Sequence, residues 1–151
     1  MIRILFVCHG NICRSTMAQC IMQKLVDDEG MHDDFKIDSA ATSKEEIGNR
    51  IYPPALRELN ARSIPYIEHR ARQIRSDEYD DWDLIIVMDE NNLRNIHRII
   101  KDKDHKVTKL NSNDIADPWY SGDFETTFEE LYTGCTRLLD RCKSFHREKD
   151  E

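Results

Sequence analysis

The chain has 151 residues, 39% hydrophobic and 34% charged, with a formal net charge of -7 at pH 7. That length is one ordinary domain, 1–151, with enough chain for a substantial core. The negative charge disfavours nucleic acid or an anionic membrane as partner, and no stretch approaches the roughly 20 apolar residues of a membrane span.

The elements follow one another in alternation. Ile2 to Val7 reads as a buried strand running straight into a polar loop, not as a signal peptide with its longer apolar region and small-residue cleavage site. Without an export signal, a cytoplasmic, reducing compartment is expected, with the 5 Cys as thiols. Ala18, Ile21, Met22, Leu25 and Val26 recur at helical spacing. Phe35 to Ala40 reads as a second strand, and Pro53-Pro54 opens a helix carrying Ala55, Leu56 and Leu59. Leu84 to Met88 is a continuous apolar run, expected of a strand covered on both faces. Leu93, Ile96 and Ile100 fit the helix after it, and Val107 to Leu110 a short fourth strand. Phe128, Leu131, Tyr132, Cys135, Leu138, Leu139 and Cys142 form one stripe of a long last helix, before a charged tail from about Arg147 to Glu151.

This alternation predicts an α/β fold: a single domain with a four-stranded parallel sheet and helices on both faces, a three-layer Rossmann-like arrangement. Ligands in such sheets bind at the carboxyl ends of the strands. The loop after the first strand reads Cys8-His9-Gly10-Asn11-Ile12-Cys13-Arg14-Ser15 and enters an amphipathic helix. Successive N–H groups there can form a nest for a tetrahedral anion, helped by the helix N-terminus. Gly10 is expected to supply a backbone conformation closed to other residues. Arg14 offers a planar fork for two phosphate oxygens. Cys8 stands at the floor of the nest, where the dipole, the amides and Arg14 all have the sign that favours a thiolate. Ser15 can donate a hydrogen bond to it. Cys-x5-Arg thus places a nucleophile at one end and an anion clamp at the other. The same spacing also arises from a buried strand-end Cys and a surface Arg; its place between strand and helix favours the chemical reading.

The run Val7 to Ser15 followed by Met17-Ala18 closely resembles the low-molecular-weight protein tyrosine phosphatases. The resemblance continues through Ile37-Asp38-Ser39-Ala40, His69-Arg70-Ala71-Arg72, Val87-Met88-Asp89 with Asn92-Leu93, and Asp117-Pro118. It implies a metal-free hydrolysis of phosphotyrosine and small aryl phosphates without cofactor, on a phosphotyrosine-containing protein or peptide. A monomer is expected, with weak self-association open. Cys8 would be the nucleophile and Asp117 the general acid that protonates a poor phenolate leaving group. Taken alone, Asp117-Pro118 is also ordinary turn chemistry. His9 to Ser15 would bind phosphate, and Trp119 and Tyr120 would wall a slot for a phenyl ring. The positions of Asn11, Ser39 and His69 imply hydrogen bonds that hold the loop in shape, an Asn being able to support a left-handed turn from within. Asp89 is read as a cap for the helix after strand three. Cys13 would pair with an oxidised Cys8.

Some positions depart from the family. Glu45 and Glu46 stand where an aromatic residue and a His are usual, so one wall is acidic or Tyr52 replaces it. Thr16 stands where Pro is usual, and Ala41 replaces a usual Gly, which predicts a slightly altered turn. Three other readings stay open on this loop. A thioredoxin-coupled arsenate reductase needs two further Cys mid-chain, and none lies between Cys20 and Cys135. A protein-arginine phosphatase carries Thr at the position of Ile12. A non-catalytic phosphopeptide-binding module would need neither Cys8 nor Asp117. The Cys residues show no zinc-type spacing, so no metal is expected.

Overall fold

The structure is a computed structural model that describes residues 1–150, with side chains as far as Phe145. The charged tail from Arg147 lies outside the described side chains. Strand β1 (Ile2–Cys8) is flanked by β2 (Phe35–Ala41) and β3 (Leu84–Val87), with β4 (Val107–Lys109) beyond β3. All pairings are parallel, with Ile4 opposite Ile37 on one side and Leu84 on the other. The helices are α1 (Arg14–Asp28), α2 (Pro53–Ala61), α3 (Glu90–Ile96), α4 (Pro118–Ser121) and α5 (Phe124–Asp150).

The central strand explains the two cores. Ile4, Phe6 and Cys8 point into one core with Met17 and Ile21 of α1, Leu59 of α2, and Leu131, Cys135 and Leu138 of α5. Leu5 and Val7 point the other way, onto Ile74, Trp82, Ile85, Ile96 and Ile100. Period-two alternation with both faces covered requires the near-continuous apolar run that β1 and β3 carry. Pro53 opens α2, where a missing N–H costs nothing. Helix α3 stops at Ile96, so Ile100 reaches its core from the turn that follows. Tyr132 lies at the margin of the α5 stripe, half-exposed and stacked on Phe128. Gly134 lets α5 approach the chain leaving β4: a Cβ there would fall 2.6 Å from Leu110 Cγ. No helix among the described residues is long and apolar enough to cross a membrane.

This topology brings three chain segments to one end of the sheet. β1 ends at Cys8, β3 leads into Asp89, and the chain beyond β4 arrives at Asp117.

Candidate active site

The loop from His9 to Cys13 is shaped by Asn11. It is the loop's left-handed residue, with φ of 60°, and is almost fully buried. Gly10 does not take that conformation, contrary to the expectation from its residue type. Asn is one of the few residues that tolerates the left-handed region, because its short polar side chain bonds locally. Gly10 instead gives room: a Cβ there would lie 3.4 Å from Glu46 Cγ.

A chain of hydrogen bonds runs from outside the loop to the sulfur. His69 Nε2 donates to Asn11 Oδ1 at 2.7 Å. Asn11 Nδ2 donates to Ser15 Oγ at 2.8 Å and to Ser39 Oγ at 3.0 Å. Ser39 Oγ in turn donates to Gln19 Oε1 at 2.5 Å. Ser15 Oγ, accepting from Asn11, also hydrogen-bonds Cys8 Sγ, 3.0 Å away. The Asn11 N–H also points at that sulfur, at 3.3 Å. Thr16 donates from Oγ1 to Asn11 O at 3.0 Å and so adds a further tie to the same turn.

Behind His69 lies an ion cluster. Arg72 bonds both oxygens of the buried Glu78, at 2.9 and 3.0 Å, and Asp38 at 3.1 Å. Asp38 Oδ1 is 3.6 Å from His69 Nδ1. Burial holds His69 below its ordinary value of 6.5, with Arg72 adding to this and Asp38 opposing.

Arg14 is buried at the head of α1. Its Nη1 donates to Asp89 Oδ2 at 2.7 Å and to Ile115 O at 2.8 Å, while Nη2 lies 3.5 Å from Asp117 Oδ2. Burial opposes its charge, but Cys8, Asp89 and Asp117 outweigh burial and raise it above its ordinary value. Asp89 does cap α3, accepting from Asn92 N at 2.7 Å. Its second role, orienting Arg14, is not visible from sequence. The partners are 75 residues apart, and no local pattern announces the pair.

The segment from Cys8 to Arg14 lines a cleft of about 110 Å³ with Glu45, Glu46, Asp117, Trp119 and Tyr120. Asp117 caps α4: its Oδ1 accepts from Trp119 N at 3.0 Å, and Pro118 opens that helix. This fixes the carboxylate opposite the Cys8 loop. Trp119 is half-exposed and Tyr120 largely so. Tyr52 does not line the cleft. Its ring stands 4.6 Å behind Trp119 and 6.0 Å from Phe124, so it backs the aromatic wall without replacing it. The opposite wall is acidic, as one of the two expectations had it. His9 Nε2 meets Glu45 Oε2 at 3.0 Å, and Glu46 accepts from Asn49 at 2.6 Å. Ile12 packs with Cys13 and Ala71 at the cleft's edge. The Cys13 thiol is pushed well up by burial first and by Cys8 second. Ala41 simply continues β2, its N–H donating to Arg72 O at 2.7 Å. Among the described residues no cluster of His, Cys, Asp and Glu could hold a metal ion.

The class this fold and cleft define is the small α/β protein phosphatase. A family model described as low molecular weight phosphotyrosine protein phosphatase matches residues 3–150. The protein of that name from Rattus norvegicus is 41% identical, covering 94% of this chain and 92% of its own length. The low molecular weight protein-tyrosine-phosphatase YfkJ of Bacillus subtilis is 35% identical, covering 99% of both. Its crystal structure matches with a TM-score of 0.91 at 34% identity, over 95% of this chain and 96% of that one. A Drosophila arginine phosphatase matches with a TM-score of 0.84 at 26% identity, over 93% and 97%. The chain belongs to the low molecular weight phosphotyrosine protein phosphatase family, and is an enzyme that hydrolyses phosphoric monoesters.

Proposed function

We propose that this phosphatase works through a phosphocysteine on Cys8, with Asp117 as acid and then base. The observation that carries the reading is the sulfur's setting. Cys8 Sγ receives the Asn11 amide and lies 3.0 Å from the Ser15 hydroxyl, in a cleft that also holds Arg14 and Asp117. A phosphoryl group seated on the loop amides and Arg14 faces that sulfur in line. Cys8 attacks phosphorus while Asp117 gives its proton to the departing phenol. Asp117, now a carboxylate, takes a proton from the water that cleaves the phosphocysteine. A phosphoryl dianion seated between Asp117 and Arg14 takes Arg14 over from Asp117, 3.5 Å away. Ser15 stabilises the thiolate as it leaves phosphorus.

The substrate in this reading is a phosphotyrosine protein or peptide, its ring against Trp119 and Tyr120. The compartment is the cytoplasm, which suits five free, buried cysteines. The enzyme acts as a monomer without metal or nucleic acid. Hydrolysis of a phosphotyrosine peptide in excess chelator, compared between parent and Cys8→Ser, tests the reading. Chelator-resistant turnover lost in the variant is expected; turnover that survives Cys8→Ser contradicts it.

One observation favours a second substrate, phosphoarginine. Glu45 and Glu46 at the cleft offer carboxylates to a guanidinium. Ile12, apolar at the position where arginine phosphatases carry Thr, weighs the other way. Ile12→Thr should raise the ratio of phosphoarginine to phosphotyrosine hydrolysis; an unchanged ratio removes Ile12 as the selector.

A further inference from the structure

The far end of the sheet carries a second cavity, about 440 Å³ against about 110 Å³ for the cleft. It lies at the amino ends of β1 and β3, lined by Ile2 and Leu84, and is closed by one side of α5, from Leu138 through Cys142 to Phe145. β1 therefore runs from this cavity at Ile2 to the cleft at Cys8. Its volume is within the roughly 300–1,000 Å³ of small-molecule sites. Its walls are mainly apolar. Cys142 belongs to them, since burial pushes its thiol up to about 11 and keeps it neutral. Met1 and Phe145 beside it are both more than half exposed, so the apolar lining continues to the surface.

Beside the Met1 terminus, two charged side chains sit at the rim, and they differ. Asp83 is fully engaged by Arg3, accepting from its backbone N at 2.8 Å, Nε at 3.2 Å and Nη2 at 3.1 Å. Arg141 is exposed and makes no hydrogen bond or ion pair among the described residues. The cavity is thus a mainly apolar volume with a guanidinium at its mouth that is unpaired among the described residues.

We propose that this cavity binds a small amphipathic carboxylate, with an aliphatic chain against Ile2, Leu84 and Leu138 and the carboxylate on Arg141. Guanidinium and carboxylate match in a bidentate, charge-assisted pair. The chain supplies affinity through apolar burial, and the pair supplies selection of the acid over a neutral analogue. The proposal is independent of the chemistry assigned to the cleft.

The test is calorimetric titration of the whole protein with decanoate, its cleft saturated with inorganic phosphate. Saturable binding is expected, tightening roughly fourfold per methylene from octanoate to decanoate. Decanol should bind about tenfold more weakly, the worth of a charged hydrogen bond. Arg141→Ala should bring decanoate to the level of decanol while leaving aryl phosphate turnover unchanged. Leu138→Trp, which fills the cavity, should abolish binding of both. Because Leu138 is a core residue, the surface variant Arg141→Ala decides the matter if that protein fails to fold. Absence of saturable binding below micelle formation, equal affinity for decanol, no effect of Arg141→Ala, or loss of binding when phosphate fills the cleft would each overturn the proposal.

Discussion

Asn11 offers a way to separate backbone strain from hydrogen bonding in the loop that carries Cys8. Asn11→Gly removes the side chain but keeps a residue at ease with φ of 60°. Asn11→Ala removes the same bonds and adds a Cβ in the left-handed region. The side chain accepts from His69 at 2.7 Å and from Arg72 N at 3.3 Å, and donates to Ser15 at 2.8 Å and Ser39 at 3.0 Å. Ser15 and Ser39 keep other partners and His69 Nε2 keeps Ser39 Oγ at 3.3 Å, so the donor left stranded is Arg72 N. At about 1 kcal/mol per net bond and more for a stranded donor, Asn11→Gly should cost about 3 kcal/mol. Asn11→Ala should cost about 1 kcal/mol more, the penalty of a Cβ at positive φ. Urea denaturation of both variants against the parent, at unchanged m, measures the two terms. Activity should fall in both, because the Asn11 amide that faces Cys8 depends on this turn. Equal stability of the two variants would refute the strain account; near-parent stability in both would refute the role of the network.

Other outcomes follow from the same geometry. Asp117→Ala should slow aryl phosphates with poor leaving groups by about 10²–10⁴-fold and good ones far less; a uniform loss across a leaving-group series would remove Asp117 from the acid role. Peroxide should oxidise Cys8 to a sulfenic acid that condenses with the Cys13 thiol, forming a disulfide and releasing water. Parent enzyme should then recover with dithiothreitol while Cys13→Ser is lost progressively to sulfinic acid, and equal recovery would assign the resolving thiol elsewhere. His69 is held below its ordinary 6.5 by burial, so the unfolded chain takes up this proton first. The stability that His69 contributes is present above 6.5 and is lost as pH falls through the lower folded value. The difference in urea midpoint between parent and His69→Gln should therefore shrink on acidification below 6.5, and a difference that grows would reverse the assignment.

Much of this was legible in the amino-acid order because the physics is local. β3 is a continuous apolar run and β1 is broken only by Arg3, as expected of strands covered on both faces. Pro53 opens a helix, and the Cys8 loop joins strand to helix as its spacing implies, whereas the short helix at Pro118–Ser121 reads from sequence only as a turn. What stayed hidden depends on distant partners. Asp89 looks like a cap and is one, but its bond to Arg14 is set by β1 and β3 lying side by side. The Arg72 cluster joins β2 to the turn at Glu78 and is likewise a product of tertiary packing. Gly10 misled because residue type suggests which position can turn left-handed, whereas the bonds available to Asn11 decide which one does. Tyr52 sits behind Trp119 because α2 begins where α4 packs, a relation no spacing along the chain encodes.

The covalent role of Cys8 is the centre of this account, and acid quenching during turnover of a good-leaving-group aryl phosphate tests it most directly. Peptide mass spectrometry of the quenched parent enzyme should find one phosphoryl group on the peptide containing Cys8. Its occupancy should rise in Asp117→Ala, which lacks the base for the second step, and the adduct should vanish in Cys8→Ser together with turnover. A turning-over enzyme with no phosphoryl group on Cys8 in either protein, or with the group on another residue, would contradict it.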